Sequence, residues 1–105
     1  MANNGATRIV PGTHKSNILP DEALTNPLDK HPDEILIQAP AGSVFVFNSH
    51  VWHGGTTNFT DKDRRSIHSY FCTADQPQQI DQRTYITEET RKRIGLTGQK
   101  ILDVL

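Results

Sequence analysis

The fold is decided by residues 43–48, which read SVFVFN, and by the WHGG that follows at residues 52–55. Val and Phe favour extended backbone, since their side chains pack well on a pleated surface. An apolar run of this length between turn residues predicts a buried strand. Residues 50–53 continue that strand or re-enter it after a bend, and the paired glycines end it.

Weaker strand patterns lie on either side. Residues 6–10 stop at a Pro-Gly pair, residues 35–37 are apolar, and residues 64–73 alternate apolar and polar side chains. Short strands separated by turn residues are typical of a β-sandwich or barrel. We therefore predict a mainly β fold. Residues 14–33 contain three prolines, which predicts a long loop with one helical turn near residues 21–24.

The C-terminal residues 87–105 have a different, helical pattern. Thr87 can cap a helix whose first turn contains Glu88 and Glu89, and basic residues follow at 91–93, near the negative helix end. Gly95 then predicts a helix stop. Residues 96–105 predict a second short helix, so the chain ends in a helical tail.

The chain has 105 residues, 34% of them hydrophobic and 22% charged, which suits a single domain over residues 1–105. A net charge of −1 gives no indication of nucleic acid or an anionic membrane as partner. Cys72 is the single cysteine, so we expect no internal disulfide and a buried, unreactive thiol. No apolar run is long enough to span a membrane and no leader pattern is evident, so we expect a cytoplasmic protein.

The residue types that could carry chemistry are His53 and Arg64. A histidine at the end of a strand, followed by glycines, is suited to metal binding because the strand fixes the ring and glycine lets a cosubstrate approach. An arginine on the next predicted strand can bind a carboxylate through two parallel hydrogen bonds. The same two residues also fit a structural histidine and a solvated arginine, and their spacing alone does not decide.

Three motifs occur in a fixed order: NGATRIVPGTHK at residues 4–15, PAGSVFVF at 40–47, and WHGG at 52–55 followed by RRSI at 64–67. Together they resemble the C-terminal half of the phytanoyl-CoA dioxygenase family, whose members depend on Fe(II) and 2-oxoglutarate. The resemblance covers about residues 3–75. It implies a partial double-stranded β-helix (a cupin-like jelly roll), a small-molecule substrate and a loop at 14–33 that borders the substrate entrance.

The resemblance also implies roles for individual residues. His53 corresponds to the distal iron ligand, and Arg64 to the anchor of the 2-oxoglutarate C5 carboxylate, with Arg65 as its rival. Many relatives have a hydroxyl two residues after the histidine, where this chain has Gly55. Either Thr56 or its neighbour Thr57 then replaces that contact, or the contact is absent in this chain.

The remaining iron ligands of this family form a His-x-Asp/Glu motif before the Asn-Gly-Ala stretch, and this chain shows no such motif there. His31 and Asp33 have that spacing but lie in the loop, where we expect a solvated pair. We expect His14 to be structural. His50 could approach the same ion as His53, and His68 stays unassigned.

The sequence therefore predicts the C-terminal portion of an oxygenase, inactive by itself. The alternative is a non-catalytic jelly-roll module for binding or dimerisation, since unpaired strand edges favour a homodimer. A cupin-like sugar- or metal-binding domain is a third interpretation, because fold alone does not fix function.

Overall fold

The computed structural model describes residues 3–105. The chain divides into two compact units, Met1–Ser66 and Ile67–Leu105. In chain order, the elements are β1 (Arg8–Val10), a 3-10 turn (Thr13–Lys15), α1 (Pro20–Ala23), β2 (Ile35–Leu36), β3 (Trp52–Gly54), α2 (Gln82–Tyr85) and α3 (Glu88–Ile101).

The first unit is built on an antiparallel sheet in the order β2-β1-β3. Ile9 of β1 pairs with Ile35 on one side and with His53 on the other, so β1 is the central strand. β1 and β2 fall within the predicted runs at 6–10 and 35–37, whereas β3 begins two residues after the start of the predicted run 50–53 and extends one residue beyond it, to Gly54. The structure thus shows a small antiparallel sheet with some helices. It does not confirm the jelly roll, which stays a prediction.

A small apolar core lies around the central strand. Ala6, Ile9 and Val10 from β1 and its approach are buried, as is Val51 immediately before β3. Gly5 adopts a φ of 81°, and a Cβ at this position would lie 3.3 Å from the Cβ of Asn58. Glycine is therefore required here both by its backbone conformation and by the close approach of the chain near residue 58.

The strand predicted at residues 43–48 does not form. Its side chains are exposed, with Val44 and Val46 at 88% and 87% of their full accessibility. A strand needs a neighbour for its backbone groups, and among the described residues no strand pairs with this run, although β2 and β3 each have a free outer edge. Its intrinsic preference for extended backbone does not suffice.

The strand predicted at residues 64–73 is also wrong, since this stretch contains no ladder and Ile67 is 98% exposed. The prediction that Cys72 is buried in this strand is also wrong, because the strand does not form. Cys72 is exposed, and its Sγ lies 3.7 Å from the carbonyl oxygen of Gln76.

The second unit contains the helices of the tail. The hydroxyl of Thr87 accepts the N–H of Thr90, as predicted for the cap of α3. Gly95 interrupts α3 with a φ of 65°, which confirms the predicted stop and the short helical segment beyond it. Val104 is the buried apolar residue of this unit. None of the helices in residues 3–105 combines the length and the apolar character that a membrane span requires.

Candidate functional site

Strand β3 places two aromatic side chains next to each other on opposite faces of the sheet. Trp52 pairs with Val10, and His53 pairs with Ile9. Because neighbouring residues of a strand point to opposite faces, His53 shares the face of Ile9, whereas Trp52 shares that of Arg8. The side chains of His53 and Trp52 therefore leave β3 on opposite faces.

The ring of His53 has one defined hydrogen bond. Its Nδ1 lies 2.8 Å from the carbonyl oxygen of Val51. A carbonyl oxygen can only accept, so Nδ1 carries the proton, and in the neutral ring Nε2 has the free lone pair. A metal-binding histidine is usually oriented in this way, with its other nitrogen donating to a backbone carbonyl.

Two phenylalanine rings lie in a row next to this imidazole. The ring of Phe47 meets His53 edge-on at 5.2 Å, and Phe45 stacks on Phe47 at 5.3 Å. Both phenylalanines and the histidine are exposed. The three rings form an aromatic row that ends at the candidate ligand, and the two phenylalanines come from the run 43–48, whose strand prediction is wrong.

The two candidate arginines lie in exposed, irregular backbone. Arg65 pairs with Asp63 at 3.3 Å, and both side chains are more than four-fifths exposed. The placement of Arg64 relative to His53 as carboxylate anchor and iron ligand therefore stays a prediction.

Thr56, the predicted cosubstrate contact, is half-buried. Its hydroxyl donates to the carbonyl oxygen of Ala6 at 2.7 Å. This bond ties the segment after β3 to the approach to β1. A carboxylate can only accept hydrogen bonds, so contact with Thr56 would require this proton to leave Ala6.

The remaining histidines differ in surroundings. His31, expected to be solvated, is half-buried and meets the ring of Trp52 edge-on at 6.1 Å. Its Nδ1 accepts the N–H of Asp33 at 3.1 Å, which makes the pair part of a turn. His50 is exposed and His14 is half-buried. No group of three or more potential metal-ligand residues is present within residues 3–105.

Sequence reasoning missed the cluster around Arg8. Its guanidinium donates to three successive carbonyl oxygens and pairs with Glu34 at 3.3 Å. The carbonyls belong to Pro27 (3.0 Å), Leu28 (3.3 Å) and Asp29 (2.9 Å). One feature of the sequence could have indicated the cluster: Arg8 lies within a predicted strand. A charged side chain at such a position is buried only when it has a partner.

A pocket lies beside this cluster in the first unit. Its lining includes Arg8, Glu34, His31, Trp52 and His53. The pocket has a volume of about 50 Å³, whereas small-molecule sites usually have about 300–1,000 Å³. It is therefore too small to be a substrate site in the described arrangement.

Comparison with known proteins identifies the class. The family model for phytanoyl-CoA dioxygenase (PhyH) matches residues 1–66. An uncharacterised protein of Mycobacterium tuberculosis is 38% identical over 77 residues, covering 73% of this chain and 26% of that protein. The dioxygenase himG of Aspergillus japonicus is 30% identical over 88 residues, covering 82% of this chain and 24% of its own length.

The dioxygenase peniF of Penicillium patulum is 32% identical over 68 residues, covering 63% of this chain and 19% of its own length. No solved structure matches the chain. The matches define an oxygenase-type domain. The chain belongs to the phytanoyl-CoA dioxygenase family, as its motifs predicted. It spans about a quarter or less of the length of these relatives.

The donor chemistry fits the iron of such enzymes at one position. His53 has the nitrogen, the orienting hydrogen bond and the strand position of a ligand. The usual set for this chemistry is two histidines and one carboxylate, which the described residues do not bring together. By its donor geometry, His53 could serve as one such ligand.

Proposed function

We propose that the chain is the C-terminal portion of an Fe(II)/2-oxoglutarate-dependent oxygenase of the hydroxylase type. His53 would bind the iron, and Arg64 would anchor the cosubstrate carboxylate. The observation that carries this proposal is the 2.8 Å hydrogen bond from His53 to Val51, because it leaves Nε2 free to bind a metal. Family membership supplies the reaction class. The iron and 2-oxoglutarate would supply oxygen activation with oxidative decarboxylation.

The chain's own contribution at His53 is orientation. The Val51 carbonyl fixes the tautomer, and the ring of Phe47 lies edge-on beside the imidazole. Gly54 and Gly55 follow directly, so no large side chain crowds the space next to the imidazole. A small-molecule substrate and cosubstrate could then approach the metal from the exposed side of the ring.

The proposed role of Arg64 needs a change in its own segment. In extended backbone, Arg64 and Arg65 would point to opposite faces, so one of them could face the sheet and the other solvent. Arg65 already pairs with Asp63, which leaves Arg64 as the guanidinium available for a carboxylate. Its planar donors would bind that carboxylate in a fork.

The other histidine and the carboxylate would come from a His-x-Asp/Glu motif in polypeptide outside the described residues. The same polypeptide would supply strands that complete a jelly roll and cover residues 43–48. Joining a segment with this motif to the chain should produce 2-oxoglutarate turnover with iron. Failure of such a protein to consume 2-oxoglutarate would contradict the oxygenase assignment.

A thermal-shift experiment tests the site in the chain as it exists. With Fe(II) and 2-oxoglutarate each at about ten times its dissociation constant, each ligand should stabilise the fold by about 1.4 kcal/mol, or roughly 6–11 °C. His53→Ala and Arg64→Ala should each abolish much of this shift. His50→Ala and Arg65→Ala are the matched controls and should preserve it. Equal loss in the controls, or a full shift in His53→Ala, would exclude the proposed ligand.

A second candidate function is a non-catalytic binding or dimerisation module. The exposed apolar residues at 43–48 favour it, because a large exposed apolar patch usually marks an interaction surface. The partner we propose is a second copy of the chain, joined through exposed strand edges. Sedimentation equilibrium would then show a dimer that Val46→Lys weakens, and the metal shift would be absent from the unmodified chain.

A further inference from the structure

The structure assigns a positioning role to Arg8, which lies on the central strand and contacts the loop that crosses the sheet. The Arg8 cluster consists of Arg8, the carbonyls of residues 27–29, and Glu34. We propose that this cluster fixes residues 27–34 against Trp52 and thereby sets the wall of the pocket beside β3. The proposal does not depend on iron or on the oxygenase assignment.

The cluster surrounds a largely buried guanidinium whose two terminal nitrogens both donate hydrogen bonds. The Arg8 side chain is 17% exposed and that of Glu34 is 8% exposed. Nη1 donates to Asp29 at 2.9 Å and Nη2 to Pro27 at 3.0 Å, so both ends of the fork are engaged. A lysine could not reproduce this arrangement, because its donors radiate from a single nitrogen.

Glu34 links the cluster to the rest of the loop. Its Oε2 accepts from Arg8 and also from the backbone N–H of His31 at 3.1 Å. The His31 ring then meets Trp52 at 6.1 Å. A continuous set of contacts therefore runs from β1 through the loop to β3.

The other end of the loop is fixed by Trp52 itself. Its Nε1 donates to the carbonyl of Ile18 at 2.8 Å, and its backbone N–H donates to the hydroxyl of Thr13 at 2.8 Å. Thr13 in turn donates to Val10. The loop thus has two separate attachments to the sheet, and Arg8 provides the second.

Trypsin cleavage after Lys30 tests the proposal, because this exposed residue lies within the fixed segment. Cleavage of folded protein follows the population of the locally open form. Losing charge-assisted hydrogen bonds in Arg8→Met should increase cleavage at Lys30 about tenfold or more. Arg8→Lys should give a smaller increase. Cleavage after Lys62, in the same unit, should stay unchanged.

Two controls separate placement of the loop from general stability. Arg83→Met removes an exposed ion pair with Asp103 in the other unit and should not alter cleavage at Lys30. Trp52 is the single tryptophan, so its emission should shift to the red in Arg8→Met as the loop leaves the ring. Equal acceleration at Lys30 and Lys62, or no acceleration at Lys30, would overturn the proposal.

Discussion

Residues 13–34 and residues 43–48 lie in the same unit and are stabilised very differently. The first region has only short helical turns, yet Arg8 and Trp52 attach it to the sheet at two places. The second is strongly apolar, yet it is exposed throughout and has no partner strand among the described residues. Partners for polar groups thus determine order here more than local strand preference does.

The physical reason is the need to satisfy backbone groups. A loop whose carbonyls accept from a buried guanidinium has replaced the hydrogen bonds that water would give. A strand supplies donors and acceptors along both edges and can satisfy them only with neighbouring strands. The apolar side chains of Val44 and Val46 do not supply these backbone hydrogen-bond partners.

The largest expected effect concerns Ile9, the buried apolar residue in the middle of the central strand. Ile9→Ala should lower the free energy of unfolding of the first unit by about 2–4 kcal/mol, because Ile9 is buried and its loss leaves a cavity. Urea denaturation followed by Trp52 fluorescence measures this change. Val46→Ala is the control and should have little effect. Equal losses would remove the contrast between the two regions.

The attachment at Trp52 should have a smaller effect. Trp52→Phe keeps an aromatic ring near His31 but removes the N–H that donates to Ile18. We expect a loss of about 1.5 kcal/mol, since the Ile18 carbonyl loses its partner. The midpoint of thermal unfolding by circular dichroism measures it. A variant as stable as the original would show that this hydrogen bond does not attach the loop.

The helix cap at Thr87 adds a third case to the comparison, because its hydrogen-bond partner, Thr90, is only three residues away in the sequence. Thr87→Ala removes the hydroxyl that accepts from Thr90 and should cost about 1 kcal/mol of helix stability. Far-ultraviolet circular dichroism should show lower helix content. Thr97→Ala removes a hydroxyl from the same helix without affecting the cap. A larger loss there would contradict the role of Thr87.

The smallest expected effect is at residues 43–48. Val46→Thr should change the free energy of unfolding by less than about 0.5 kcal/mol, because the side chain is exposed. Self-association at high concentration should fall, since the apolar patch becomes smaller. Light scattering and urea denaturation measure the two quantities. Marked destabilisation would mean that Val46 packs against something in solution.

The sequence predicted the sheet elements and the helix signals well where local chemistry decides. The Pro-Gly pair after β1, the cap at Thr87 and the stop at Gly95 all depend on neighbouring residues alone, and each appears in the structure. The exposure of residues 43–48 was not predicted, because burial depends on which other segments pack against them. Periodicity reports that a strand could form, not that a neighbour is present.

The candidate site shows the same division. His53 could be singled out from the WHGG motif, but its hydrogen bond to Val51 could not, because it depends on how the chain bends before β3. The Arg8 cluster was invisible because residues 27–34 lie about twenty positions away along the chain and carry no periodic pattern. Such contacts join backbone carbonyls, whose positions residue types do not specify.

The central place of β1 restricts how the sheet can grow. Both edges of β1 are taken, so an added strand can join only at the outer edge of β2 or at that of β3. Addition at β3 would lay new backbone directly alongside position 53, whereas addition at β2 would leave that position on the rim. The edge at which a strand is added therefore determines whether His53 lies on a central strand or on an edge strand.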